Sequence, residues 1–200
     1  MIKNIVIAGV GGQGSVLAGQ IIAQAASLAE FCVATSEVHG MAQRGGSVFS
    51  TVRYGKDVIS PAVPEGAADV LLAFEKLEAL RYLNYLKADG LALVNDQRIM
   101  PSIESLKLAP YPDEKTIEET LRRRAGMVVI VPALAIAQGL GVPALVNTVM
   151  LGALSVFLDL PHEKWHQAIT KLVPPKTVEL NLAAFAEGVA WAKRHLSVHA

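Results

Sequence analysis

Hydrophobic and polar positions along the chain change their period several times, and each change marks a predicted element. Residues 3–9 form a short apolar run that stops at a glycine, which is typical of a buried strand in a parallel sheet. Residues 16–30 are rich in Ala, Leu, Ile and Gln, and they predict a helix that is covered on more than one side. Residues 47–54 alternate with a period of two. Together with the turn at 55–57 and the run at 58–60, they predict a hairpin.

The remainder of the chain continues to alternate between the two kinds of element. Further strands are predicted at 31–35, 69–74, 90–95 and 127–131, and further helices at 75–87, 116–124, 144–158, 162–172 and 176–195. This alternation predicts an α/β fold, a three-layer α/β/α sandwich with a largely parallel, Rossmann-like sheet, a hairpin and a helical C-terminus. No internal repeat or linker interrupts the pattern, so residues 1–200 are expected to form a single domain.

Composition narrows the classes of function. Lys and Arg together number 18, as do Asp and Glu, so no net charge favours nucleic acid or an anionic membrane as a partner. Charged residues make up 18% of the chain against a typical ~25%, which indicates surface hidden against another protein. Residues 125–158 carry no charge, but glycines and prolines divide them, so they predict core or interface rather than a membrane span. No signal peptide pattern is present, and a cytoplasmic location is expected.

The chain offers few ligands for a metal. Its one cysteine, Cys32, lies in a β-rich run, where we expect a buried apolar thiol. A single thiol cannot hold an iron–sulfur cluster or a thiolate zinc site. His162 and His166 have the i, i+4 spacing of helical metal ligands but no third ligand nearby, which favours a solvated helix face. No metal site is therefore predicted on this chain.

A glycine-rich turn follows the first predicted strand. It contains five candidate binding residues, Gly9, Gly11, Gly12, Gln13 and Gly14. The G-x-G-x-x-G spacing permits a tight turn and close approach of a phosphate to the start of a helix. NAD would be favoured by an acidic residue at the end of the second strand, where Thr35 and Ser36 stand instead. A nucleotide-binding regulatory or dehydrogenase-like protein stays open, as does a purely structural strand–helix crossing.

A second polar segment spans residues 36–48, between two predicted strands. Its candidate functional residues are Glu37, His39, Gln43, Arg44, Gly45 and Gly46. The imidazole and carboxylate suit acid–base work, the guanidinium fork suits a carboxylate or phosphate, and the two glycines let the backbone lie close to another surface. A solvated turn whose polar groups satisfy one another is the alternative. Neither segment contains a recognisable catalytic set, so no catalytic residue is predicted.

Four segments together carry a resemblance to a known family: residues 7–14, 37–48, 146–153 and 176–188. They resemble the γ subunit, or γ-type domain, of the 2-oxoacid:ferredoxin oxidoreductases. The version His-Gly-Met-Ala-Gln-Arg-Gly-Gly of the polar segment most resembles the β subunit of the indolepyruvate enzymes. The loop sequence is specific, whereas the glycine spacing alone is not.

The resemblance implies a function for the complex rather than for this chain alone. Enzymes of the family convert a 2-oxoacid, coenzyme A and oxidised ferredoxin to acyl-CoA, carbon dioxide and reduced ferredoxin. They use thiamine diphosphate with Mg²⁺ and iron–sulfur clusters, which the resemblance assigns to partner subunits. This chain is therefore expected to bind no cofactor by itself, to dock on the thiamine- and cluster-binding subunit, and to reach ferredoxin through the complex.

The resemblance also implies a substrate class. Arylpyruvates such as indolepyruvate are favoured, while pyruvate, ketoisovalerate and oxoglutarate stay open because partner chains are expected to build most of the pocket. The isolated chain is expected to be inactive. The glycine turn and the polar segment are expected to face the partner or its cofactors.

Overall fold

The structure is a computed structural model that describes residues 2–39, 46–100 and 110–198. Its six strands are β1 (Lys3–Val10), β2 (Cys32–His39), β3 (Ser47–Gly55), β4 (Ala68–Ala73), β5 (Leu86–Asn95) and β6 (Met127–Val131). Its helices are α1 (Ser15–Leu28), α2 (Lys76–Arg81), α3 (Glu114–Arg124), α4 (Ala133–Gly139), α5 (Val146–Ser155), α6 (His162–Leu172) and α7 (Val178–Val198). Short 3₁₀ turns occupy Leu83–Tyr85, Pro143–Leu145 and Pro175–Thr177.

The strands form one mixed sheet in the order β2-β3-β1-β4-β5-β6. β1, β4, β5 and β6 pair in parallel, whereas β3 runs antiparallel to both of its neighbours. β2 and β3 form an antiparallel hairpin at one edge, so the predicted hairpin is present with a different partner strand. The predicted pairing of β3 with residues 58–60 is wrong, because β1 and β2 take both sides of β3 and leave that segment outside the sheet.

Alternate side chains of the central strands enter two separate cores. Ile5 and Ile7 face a core shared with α1 and with α4 to α7. Val6 and Ala8 face the opposite core, which α2 and α3 cover. All four side chains are fully buried, as expected for a strand that is packed on both faces. The three-layer α/β/α architecture predicted from the sequence is therefore confirmed.

Local signals account for several element boundaries. The Glu75 carboxylate caps α2 by accepting from the Glu78 N–H at 2.9 Å, and Asp113 caps α3 by accepting from the Thr116 N–H at 2.7 Å. α2 is shorter than the helix predicted over 75–87, because Leu86 begins β5 opposite Ala68 instead of continuing the helical repeat.

The long α7 packs against α5 with their backbones in close contact. A Cβ at Gly152 would lie 2.1 Å from the Phe185 carbonyl oxygen, and a Cβ at Gly188 would lie 2.1 Å from that of Val149. Glycine is required at both positions because these helices approach more closely than side chains allow. Among the described residues, no helix has both the length and the apolar character needed to cross a membrane.

Candidate functional site

The glycine turn stands where the connections of two adjacent parallel strands part to opposite faces of the sheet. β1 leads into α1 on one face, and its neighbour β4 leads into α2 on the other. Ligands of open α/β sheets bind in the crevice at such a point. Gly12 and Gly14 have φ values of 102° and 75°, so the turn needs glycine at both positions.

Gln13 fills this crevice with its own side chain. Its Oε1 accepts from the Val10 N–H at 2.8 Å, and its Nε2 donates to the Phe74 carbonyl at 2.9 Å and to Gln97 Oε1 at 3.1 Å. Asn95 Nδ2 donates to the same two oxygen atoms, at 3.1 Å and 3.0 Å. Asn95 Oδ1 has no hydrogen-bond partner within the described part of the chain. The side chain of Gln13 thus ties the ends of β1, β4 and β5 together.

The polar segment predicted as a loop is partly strand. Glu37 lies in β2, opposite Ser50 of β3, and His39 ends β2 opposite Val48. Gln43, Arg44 and Gly45, together with the side chain of His39, lie outside the part of the chain that the structure describes.

The segment that connects β2 to β3 ends beside the glycine turn, at Gly46. The Gly46 carbonyl accepts from the Gly11 N–H at 2.8 Å. The structure therefore brings Gly46 to the turn that carries Gly11, Gly12, Gln13 and Gly14. Glu37 instead lies on the edge strand, on the face turned toward α1.

Cys32 lies on the edge strand of the sheet. We expected a buried thiol, but Cys32 is exposed. β2 is the last strand of the sheet, and several of its side chains are open to solvent on both faces. The β-rich composition predicted a strand without revealing that the strand lies at an edge.

A cavity of about 580 Å³ opens beside the turn, between α1, α5 and α7. Its polar lining includes Asn147 and Asn181, which are linked through Thr148: the Thr148 hydroxyl donates to Asn181 Oδ1 at 2.7 Å, and the Thr148 N–H donates to Asn147 Oδ1 at 2.9 Å. The described lining contains no charged side chain and therefore offers no cation to a phosphate. Its walls suit a neutral, partly apolar group.

Sequence reasoning missed these two asparagines as functional candidates. Asn147 and Asn181 lie in two of the four segments that carry the family resemblance, and that was the one available signal. Nothing local in the sequence links them, because they are 34 residues apart and meet only where α5 packs on α7.

Carboxylates gather on the opposite face of the sheet, where they hold the chain together. Glu75 is 1% exposed and accepts from the Tyr111 hydroxyl at 2.5 Å and from the Ile99 N–H at 3.1 Å. Lys76 forms ion pairs with Asp96 and Glu114. Burial lowers the pKa of Lys76, but the hydrogen bonds and charges of the two carboxylates raise it further, so the net shift is upward. Both residues anchor the connection between β5 and α3.

Glu78 is the buried carboxylate with the clearest electrostatic perturbation. Burial raises its pKa above the ordinary value, and the nearby Glu75 adds to the shift. The Ser47 hydroxyl donates to Glu78, and Arg81 pairs with it at 3.1 Å, which offsets part of the effect. Through its hydrogen bond with Ser47, Glu78 connects α2 to the start of β3. The Ser47 Oγ also lies 2.9 Å from the Tyr82 hydroxyl, just after α2.

The strand order bears on the nucleotide-binding alternative. In a dinucleotide-binding unit the second strand adjoins the first and carries the acidic residue that meets the ribose. Here β3 separates β2 from β1, which moves Glu37 one strand spacing, about 4.8 Å, farther from the turn. Gln13 also occupies the crevice itself. The geometry therefore disfavours NAD at this turn.

The side chains of this chain that could coordinate a metal do not fit the iron–sulfur and metal cofactors implied by the resemblance. The sequence has one cysteine, and clusters need several thiolates. Within the described ranges, no group of three or more His, Cys, Asp and Glu side chains is arranged to hold a metal ion. The residues present thus fit neither an iron–sulfur cluster nor a carboxylate site for the Mg²⁺ of a diphosphate.

Comparison with known proteins decides the family. The sequence profile of the family described as pyruvate ferredoxin/flavodoxin oxidoreductase matches residues 4–191. The chain belongs to this family. It is 45% identical to the indolepyruvate oxidoreductase subunit IorB of Thermococcus kodakarensis over 98% of both chains, and 43% identical to that of Pyrococcus horikoshii over the same share. It is 32% identical to the 2-oxoglutarate synthase subunit KorC of Methanothermobacter thermautotrophicus over 93% of both.

Solved structures agree with this membership. The γ subunit of a keto/oxoacid ferredoxin oxidoreductase from Geobacter sulfurreducens superposes with a TM-score of 0.71 and 26% identity, covering 96% of this chain and 99% of that one. The 2-oxoglutarate:ferredoxin oxidoreductase of Magnetococcus marinus gives 0.74 at 22% identity, covering 96% of this chain and 31% of that one, which supports the fold alone. The γ-type resemblance drawn from the sequence is confirmed, and the chain is a subunit of a multi-subunit oxidoreductase complex.

Proposed function

We propose that this chain serves, as a single domain, in an arylpyruvate-oxidising complex of the family, with indolepyruvate as the favoured substrate. The supporting observation is the gap in identity between the two kinds of relative. Sequence identity is 45% to an indolepyruvate subunit and 32% to a 2-oxoglutarate subunit, over nearly complete chains in both cases. Complexes of this family use thiamine diphosphate, iron–sulfur clusters and coenzyme A. The described His, Cys, Asp and Glu side chains of this chain suit neither an iron–sulfur cluster nor the Mg²⁺ of the diphosphate.

The proposed role of the chain is to help enclose the site of the thiamine-binding partner. The carboxyl edge of the sheet offers the surface for this role, since the turn at Gly11 and the base of the β2–β3 connection at Gly46 are hydrogen-bonded there. Gly11, Gly12, Gln13 and Gly14 would hold the base of the connection in position. His39, Gln43, Arg44, Gly45 and Gly46 would then face the partner or its cofactors, with Glu37 close by on β2.

Arg44 is the residue of this group whose chemistry is most specific. A guanidinium presents a planar fork to a carboxylate or a phosphate. A substrate carboxylate, a cofactor phosphate or an acidic side chain of the partner would each complete it. Its distance from Gly46 is two residues, so the hydrogen-bonded base at Gly11 would limit where it can reach.

Replacing Arg44 by Ala tests this role. Because the proposed role of Arg44 is toward the partner, we expect the free energy of unfolding of the isolated chain to change by no more than about 0.5 kcal/mol. We expect the reconstituted complex to assemble more weakly or to turn over more slowly. Arg124→Ala, at the exposed end of α3, is the matched control and should change neither measurement. If Arg44→Ala unfolds the isolated chain while assembly and turnover of the folded fraction are normal, the loop is structural and the proposal is wrong.

The substrate class is tested with the reconstituted complex. We expect kcat/KM to be highest for indolepyruvate and other arylpyruvates, and lower for pyruvate, 2-oxoglutarate and ketoisovalerate. The isolated chain should reduce neither ferredoxin nor viologen with any of them. A complex that prefers 2-oxoglutarate, or an isolated chain with activity of its own, contradicts the proposal.

A further inference from the structure

A second cavity, of about 360 Å³, lies between α1 and the β2–β3 hairpin. Gln20 and Gln24 of α1 line one side, and Thr35, Glu37 and Ser50 line the other. It is separate from the cavity beside the glycine turn, with which it shares no lining residue. Its walls combine amides, hydroxyls and one carboxylate with apolar side chains such as Val33, Val52 and Leu172.

Ser50 is the feature that requires an explanation. It is 3% exposed, and its Oγ has no hydrogen-bond partner in the described ranges. A buried hydroxyl without a partner destabilises a folded chain, because it has lost its hydrogen bonds to water and gained none from the protein. The backbone of α1 passes over the hydroxyl at Gly19, where a built Cβ would contact the Ser50 Oγ at 3.8 Å. Ser50 is a lining residue of the cavity, so its unpaired hydroxyl lies at the cavity wall.

Glu37 supplies a charge at the same place. It stands directly opposite Ser50 in the β2–β3 register, and both line the cavity. It is exposed and has no ion pair with any residue that the structure describes. No Lys, Arg or His belongs to the described lining. A carboxylate beside neutral oxygen acceptors is a favourable environment for a cation that donates hydrogen bonds.

The hairpin around the cavity is open in the ways expected of a docking surface. β2 is the last of the described strands in the sheet, so no strand within the described ranges pairs with its outer hydrogen-bonding groups. Thr35 on one face and Val38 on the other are both exposed, Val38 by 56%. The chain as a whole carries 18% charged residues, which is low for a surface that is fully solvated. These features favour a protein as the occupant over a free small molecule.

We infer that a basic side chain of the thiamine-binding partner subunit enters this cavity and donates to the Glu37 carboxylate and the Ser50 hydroxyl. The inference rests on the proposed function, since it takes the partner from there. It adds Ser50 and the cavity under α1 to the interface, and it specifies the chemistry of the group that the partner presents. Gln20 provides a further acceptor on α1, whereas the Oε1 of Gln24 already accepts from Lys171 Nζ at 3.1 Å.

The test compares stability of the isolated chain with affinity for the partner subunit. Ser50→Ala should leave thermal stability of the isolated chain unchanged or higher, because it removes an unsatisfied buried hydroxyl. The same variant should bind the partner several-fold more weakly, measured by calorimetric titration. Glu37→Gln should weaken binding by at least about tenfold and reduce its dependence on salt. Glu187→Gln, an exposed carboxylate on α7, is the control and should bind as the wild type does.

Several results would overturn the inference. If Ser50→Ala and Glu37→Gln assemble with the wild-type affinity in a complex that oxidises arylpyruvates, the proposed function stands and this site is wrong. If the wild-type chain fails to assemble with the partner at all, the proposed function fails as well. Lower stability of isolated Ser50→Ala would show that the hydroxyl has a partner within the chain. A small molecule that native mass spectrometry finds on the wild type and not on Ser50→Ala would assign the cavity to a free ligand.

Discussion

The crevice between β1 and β4 and the edge at β2 belong to one sheet, yet their polar groups are satisfied differently. In the crevice the Gln13 amide makes three hydrogen bonds that join the ends of three strands. At the edge, the Ser50 hydroxyl is buried without a partner and Glu37 has no ion pair in the described structure. In the first region the Gln13 amide is satisfied within this chain, although the neighbouring Asn95 Oδ1 is not, and the second region has acceptors for a group from outside the chain.

The difference follows from the layers on each side. Helices cover both faces of β1, β4 and β5, so most polar groups at their ends pair internally, including the half-buried Gln13 and Gln97. Among the strands that the structure describes, β2 has a neighbour on one side only, and parts of both its faces are exposed. A subunit of a larger complex can leave such an edge incomplete, because its partner supplies the missing contacts.

The largest expected effect concerns the closed region, where α5 and α7 touch. Gly152→Ala places a Cβ 2.1 Å from the Phe185 carbonyl oxygen, so the helices must separate. We expect the free energy of unfolding to fall by at least about 3 kcal/mol, measured by urea denaturation. Gly139→Ala is the matched control, since no atom lies within 4 Å of its Cβ position, and it should change stability by less than about 1 kcal/mol. Equal losses in the two variants would contradict the close packing of α5 on α7.

The next effect tests the closure of the crevice. Gln13→Leu keeps the size of the side chain but removes three hydrogen bonds and leaves the Val10 N–H without its acceptor. We expect the free energy of unfolding to fall by about 2 kcal/mol. Gln138→Leu, on the exposed side of α4, should stay within about 0.5 kcal/mol of the wild type. If the two variants are equally stable, Gln13 does not hold the strand ends together.

Elements with strong local signals could be predicted closely from the sequence. The strand Met127–Val131 and the helix His162–Leu172 have their predicted bounds. The start of β1 also agrees, because an apolar run followed by glycines leaves few alternatives. The errors concern pairings. The partner of β3 is set by contacts with β1 and β2 that no local pattern contains, and Leu86 fits a helical repeat although it begins a strand.

The residues of the candidate site also divide into those that the sequence predicted and those that only the structure reveals. Gly11 and Gly46 were both predicted as site residues, and the structure joins them by a hydrogen bond. Gln97 was missed because it meets Gln13 across 84 residues of sequence. Ser50 was missed because its burial depends on the approach of α1 over the hairpin, and alternation alone indicates only that it shares a face with Val52.

A smaller expected effect is the pH dependence of stability, which should differ between a buried carboxylate and an exposed one. Burial raises the pKa of Glu78 above the ordinary value of 4.5, so the folded chain holds this proton more tightly than the unfolded chain. Stability must then fall as pH rises through the window between those two pKa values. We expect Glu78→Gln to gain stability relative to the wild type as pH increases from about 4 to about 7, measured by denaturation at each pH. Glu119→Gln, on the exposed face of α3, should keep a constant difference. A constant difference for Glu78→Gln would mean that its pKa is not raised.

The central claim is that the β2 edge is completed by the partner subunit, and hydrogen exchange of the backbone amides measures this most directly. In the isolated chain, outward-facing amides of β2 (Cys32–His39) should exchange quickly because no described strand lies beyond them, whereas those of β4 (Ala68–Ala73) should exchange slowly. When the partner is added, we expect exchange in β2 to slow and exchange in β4 to stay the same. An assembled and active complex in which β2 exchanges as it does in the isolated chain would contradict the claim.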